Sequence, residues 1–157
     1  MATPIAPHNL EAEKAVLGAI ILDNAAYAHA EGVLKASSFY HPAHQIIYLA
    51  IKGLNAARQP IDELTLADWL KKDGNFDTIG GDVFLNELLR HVVSEKNVAA
   101  YVAIMRRLDI TRRMIAAASH IATSGYAQPD IEDYIDASQK AIFSIAMDHE
   151  EQDFSYA

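Results

Sequence analysis

The sequence contains no cysteine, which removes disulfides, thiolate metal sites and a cysteine nucleophile together. No apolar run approaches the roughly 20 residues that a bilayer span needs. The start, Met1-Ala2-Thr3-Pro4-Ile5-Ala6-Pro7, has neither the basic opening nor the apolar core of a secretion signal. A cytoplasmic protein is expected. Positive charge is scarce as well: 13 Lys and Arg against 21 Asp and Glu give a net charge of −8, so a phosphate backbone is on balance repelled and little direct DNA binding is expected. No glycine is followed by Lys-Ser or Lys-Thr, so the phosphate-cradling loop of a P-loop ATPase is missing. No serine stands in a nucleophile elbow. No segment alternates apolar and polar residues between turn signals, and no repeat or low-complexity tract is evident, which leaves an all-α chain.

What is present is helical periodicity. Hydrophobic residues make up 51% and charged residues 22%, a balance that marks a folded chain. Asn9 reads as the N-cap of a first helix with Glu11 and Glu13 in its first turn, where the helix dipole favours acids. Val16, Leu17, Ile20 and Ile21 form its buried side, Gly18 suggests a close backbone approach, and Asp23-Asn24 ends or bends it. Residues 25–34 continue the helical pattern through Tyr27, Ala30, Val33 and Leu34. Pro42 opens a third helix carrying Ile46, Ile47, Leu49, Ala50, Ile51 and Leu54. Asp62 with Thr65 forms a reciprocal cap for a fourth, which Gly74 ends. Gly80-Gly81 is a turn and a helix start, and a fifth helix runs from Val83 to Val93 through Phe84, Leu85, Leu88 and Leu89. Ser94 and Asn97 are alternative caps for the next.

The remaining stretch, 97–147, reads as a helical hairpin. In its first arm Tyr101, Met105, Leu108, Ile115 and Ala122 make one apolar row, and Ile110, Met114, Ala117 and Ile121 a second about 100° around the helix. Gly125 is the expected left-handed C-terminal residue, Pro129 forbids continuation, and Asp130 caps the second arm. That arm carries Ile131, Tyr134, Ile135, Ser138, Ile142 and Ile145 as an a/d-like seam. Apolar burial available within so short an arm falls below the cost of ordering it. The hairpin is therefore expected to need another copy or another protein. The domain reading is a flexible N-terminus at 1–8, a helical head at 9–96, the hairpin at 97–147, and the start of an acidic linker at 148–157.

Candidate chemistry is thin. His41 and His44 stand three apart, one helical turn, which invites a metal reading; no acid lies within a turn, and no metal, catalytic or cofactor-binding residue is assigned. Acid pairs such as Asp62-Glu63 and Glu132-Asp133 are explained by capping. Arg106, Arg107, Arg112 and Arg113 form the one basic cluster, read as a solvated helix face because no aromatic stacking platform accompanies it.

One resemblance covers nearly the whole chain, from about Pro7 to Ala146. It rests on Pro7-His8-Asn9-Leu10-Glu11-Ala12-Glu13-Lys14-Ala15-Val16-Leu17-Gly18-Ala19-Ile20, then Phe39-Tyr40 with His44 and Ile47, then Pro60-Ile61-Asp62 with Thr65-Leu66 and Leu70. Gly80-Gly81 with Phe84-Leu85 and Leu88, and Asn97 with Tyr101, continue it in order. Each piece is weak alone and the combined order is specific. The sequence resembles the N-terminal domain of DnaB-type replicative helicases. The resemblance implies a head and hairpin that pair between subunits as a dimer, trimer of dimers or hexamer. It implies a collar that docks a DnaG-type primase in the primosome, with helicase loaders as further partners. ATP, Mg and strand separation would belong to a following motor domain, which this sequence lacks, so none of them is expected in this segment. A piece of a longer protein cut at the linker is expected, with a naturally short relative as the other reading.

On this basis Met105, Leu108, Ile115, Ile131, Ile135, Ile142 and Ile145 are assigned to the hairpin seam and self-association, and Met114, Ile121 and Tyr126 to an outer, partner-facing surface. Two other functions stay open: a stand-alone helical adaptor or inhibitor that holds another protein's helix in a groove, and a small all-α metal-dependent enzyme built on the histidines.

Overall fold

The computed structural model describes residues 4–90 and 97–155. These are helical with no strand among the described residues, in two compact units: one of His8–Arg107, the other of residues up to Pro7 together with Leu108 onward.

In the head, α1 (Leu10–Leu22) starts where Asn9 accepts a hydrogen bond from the Ala12 amide at 3.0 Å. Its apolar side meets α3 (Pro42–Ala56) and α5 (Gly81–Arg90). Pro42 occupies the first turn of α3, and the His41 imidazole caps it through the Ala43 amide. On α4 (Glu63–Lys72) Asp62 and Thr65 exchange side-chain bonds with each other's amides at 2.8 and 2.9 Å, the reciprocal cap expected. Leu17, Ile20, Ile47, Tyr48, Ile51, Leu66, Leu70, Leu85 and Leu88 form one core. A Cβ at Gly53 would lie 2.3 Å from the Trp69 ring, so α3 and α4 approach through that hydrogen.

Residues 25–34 depart from the expected continuous helix. A 3-10 turn at Asn24–Ala26 leads into the four-residue α2 (Tyr27–Ala30), and the chain leaves helical geometry at Glu31 before left-handed Gly32 (φ 81°). Asn24 fixes the end of α1. Its amide donates to the Ile20 and Ile61 carbonyls at 2.9 and 2.7 Å and accepts from the Ile61 amide at 2.8 Å, stitching the end of α1 to the loop before α4. The end of α5 at Val93 and the Ser94 cap lie outside the described residues.

The start of α6 (Val98–Tyr126), as far as Arg107, belongs to the head, which therefore reaches past the boundary expected at 96. Val98, Val102 and Met105 are buried in the head core, Met105 to 2%. Met105 is thus a head residue and not part of the hairpin seam: the apolar row it begins is covered at its start and open further on.

The hairpin unit comprises the rest of α6 and α7 (Ile131–Ser155). Helix α7 continues through the residues expected to open a linker, since neither Gly nor Pro interrupts it. At the turn Gly125 is helical, and the left-handed residue is Gln128 (φ 51°). Gly125 instead makes room: a Cβ there would meet the Tyr134 hydroxyl at 2.7 Å. Asp130 caps α7 through the Asp133 amide.

Candidate interaction surface on the hairpin

Side-chain links hold α6 and α7 antiparallel. Near the turn the Tyr134 hydroxyl donates to the Ile121 carbonyl; at the far end Arg113 Nη2 donates to Asp148 Oδ2 at 2.7 Å. Between them the covered positions of α7 are Tyr134, Ser138, Ala141, Ile145 and Asp148, spaced four and three apart as one helix face requires. On α6 the matching positions are Ile110, Arg113, Ala117, Ile121 and Ser124. Four of these ten positions carry serine or alanine. Among the described residues of α7, Ile145, at 7% exposure, is the one buried large side chain.

That register leaves Ile131, Ile135 and Ile142 open to solvent, contrary to their expected place in the seam. They stand about 50–90° around α7 from the seam, at 100° per residue. Met114 stands about 60° from Ala117 in the same rotational sense, and equal rotations on antiparallel neighbours reach the same side of the pair. One flank of the hairpin is therefore apolar: Met114 and Ala118 from α6, the three isoleucines from α7.

On α6, Met114 and Tyr126 are exposed as expected, while Ile115 and Ile121 exchange sides. Ile121, assigned outward, is half-buried and its carbonyl receives Tyr134. Ile115, assigned inward, is 50% exposed. It continues the Leu108 row, half-buried at Leu108, through Ser119 and Ala122 to Tyr126, 89% exposed. Spacing alone could not separate rows only 100° apart. Phe143 and Met147, exposed on α7, lie outside the one row that spacing shows on that helix. Arg112 is occupied, donating to the Pro7 carbonyl at 2.8 Å.

The histidines have other work. Glu13 is buried in the head, where Oε2 accepts the Tyr40 amide at 2.8 Å while Oε1 accepts the His41 amide at 3.3 Å and His44 Nδ1 at 2.8 Å. Burial pushes this carboxyl up, but the bonds from His44, Tyr40 and His41 outweigh it and hold the group below its ordinary value. Burial and the neighbouring His44 push the His41 imidazole down. Glu13 thus does more than fill a helix's first turn, but its partners are some thirty residues away and no local signal shows them. Among the described residues no group of three His, Asp or Glu is placed to hold a metal, and no helix is long and apolar enough to cross a membrane.

Residues 5–107 match the family model described as the DnaB-like helicase N terminal domain. The chain belongs to that family. It is 36% identical over 141 residues to the replicative DNA helicase DnaC of Bacillus subtilis, covering 89% of this chain and 31% of the relative. It is 34% identical over 140 residues to the replicative DNA helicase DnaB of Synechocystis, covering 88% and 16%. The chain thus spans no more than about a third of the curated relatives it matches. Among solved structures it is similar to the N-terminal domain of the Mycobacterium tuberculosis DnaB helicase, with a TM-score of 0.85 and 32% identity, covering 89% of this chain and 99% of that one. The Helicobacter pylori DnaB N-terminal domain, described together with its interactions with primase, follows at 0.66 and 25%, covering 74% and 90%. The DnaB N-terminal fold is all-α, and the helices described above are this chain's version of it.

Proposed function

We propose that this chain is the assembly and docking domain of a replicative DNA helicase acting in the cytoplasm. Copies associate through the apolar flank of the hairpin into a dimer, a trimer of dimers or a hexamer, and the assembled collar docks a DnaG-type primase and, in some settings, a loader. ATP, Mg and strand separation belong to a motor domain elsewhere in the parent helicase. The observation that carries this reading is the unfinished hairpin: Ile131, Ile135 and Ile142 stand exposed along one flank, outside the seam that joins the two arms. Membership of the DnaB family and the interactions with primase described for the H. pylori relative support it. The exposed α6 row ending at Tyr126 is the surface we assign to primase, because it faces away from α7 and stays open when the flank is covered.

The test is binding of a purified primase C-terminal domain to this chain by fluorescence anisotropy, alongside light scattering. Binding that weakens at least about tenfold in Ile115→Ser/Tyr126→Ser, with oligomeric mass unchanged, supports the assignment. Unaltered affinity refutes it.

A further inference from the structure

Phe143 and Met147 stand one turn apart on α7, about 150–170° around the helix from the seam and about 100–140° beyond Ile142 at 100° per residue. Phe143 is 64% exposed. They stand on a different side of α7 from the isoleucine flank and from the seam with α6. Their surroundings are net acidic. Glu132, Asp136 and Glu150 lie on the same outer strip, and Lys140, the only Lys or Arg from Asp130 onward, is held at 3.0 Å by Asp136. Two large apolar groups one turn apart in an acidic field complement a helix with apolar anchors at matching spacing and lysine or arginine beside them.

We infer that the outer strip of α7 is a second docking site, separate from the pairing flank and from the α6 row, and that it takes a basic amphipathic helix anchored on Phe143 and Met147. The acids set orientation and the rate of encounter. The aromatic and thioether groups supply the holding contact, as buried anchors do at interfaces.

The probe is a fluorescein-labelled Leu/Lys amphipathic peptide of about 18 residues, long enough to hold helix, titrated into the full chain, with a Leu/Glu peptide of the same pattern as control. The Leu/Lys peptide is expected to bind, to weaken as salt rises from about 50 to 200 mM, and to lose at least about tenfold in affinity in Phe143→Ser/Met147→Ser with oligomeric mass unchanged. Glu132→Lys/Glu150→Lys is expected to weaken binding and flatten its salt dependence. Ile135→Gln/Ile142→Gln is expected to leave peptide affinity unchanged, which separates this site from the pairing flank. The inference is overturned if the Leu/Glu peptide binds equally well, if Phe143→Ser/Met147→Ser binds like the parent, or if that variant lowers the oligomeric mass, which would make a sister copy the occupant.

Discussion

Replacing Ile135 and Ile142 by glutamine tests the pairing flank with little change to the helix that bears them, because glutamine favours helix at least as well as isoleucine. The two side chains are 49% and 43% exposed, so roughly half of each remains to be buried. Full burial of such a side chain contributes about 1.5–3 kcal/mol, and half of that is about 0.7–1.5 each. Two positions in each of two copies give about 3–6 kcal/mol, or about 10²- to 10⁴-fold in the dissociation constant at 1.4 kcal/mol per decade. Sedimentation velocity over a dilution series reads that shift, and circular dichroism checks that helix content is retained. Ile145→Ala is the matched contrast. At 7% exposure Ile145 is inside the seam, and its truncation is expected to cost about 2–5 kcal/mol of hairpin stability, visible as faster amide exchange across α7. If the glutamine pair leaves association unchanged, the flank is not the pairing surface; if it melts α7 as Ile145→Ala does, the isoleucines are in the seam and the α6–α7 register is wrong.

Glu13→Gln removes a buried carboxylate that accepts three hydrogen bonds and is expected to destabilise the head by about 1–3 kcal/mol in denaturant titration. A carboxyl held low in the folded state stabilises above its unfolded value and loses that contribution as pH falls through the folded one. The gap between parent and variant should therefore be fully present at neutral pH and narrow below about 4.5; a pH-independent gap would contradict this. Gly53→Ala places a methyl against Trp69, the sole tryptophan. Overpacking of that kind costs about 1–3 kcal/mol and should shift the indole emission, whereas unchanged emission and Tm would mean that α3 and α4 do not cross at Gly53.

Features held by neighbours along the chain are legible from the sequence itself. Asn9, Pro42, the Asp62–Thr65 exchange and Pro129 each act within a few residues, so their geometry is written in local spacing. Which row of α6 turns toward α7 is not legible, because Ile115 and Ile121 are equally apolar and the choice depends on the partner helix. Gly125 misleads for a related reason: a glycine near a helix end resembles a terminator, yet here its missing side chain admits Tyr134 from the other arm. Asn24 and Glu13 escape entirely, since their partners at Ile61 and at Tyr40 to His44 are brought close only by folding.

The bond between Glu13 and His44 also has a bearing on how the polypeptide acquires its shape during synthesis. Both halves of that lock, with most of the two helices that carry them, leave the ribosome within about the first third of the chain. Closing a loop of this size is entropically modest, so α1 and α3 can associate before Trp69 or any of α6 has emerged. The head then grows onto a template already anchored at its amino end, and the apolar isoleucines of α7 follow after it.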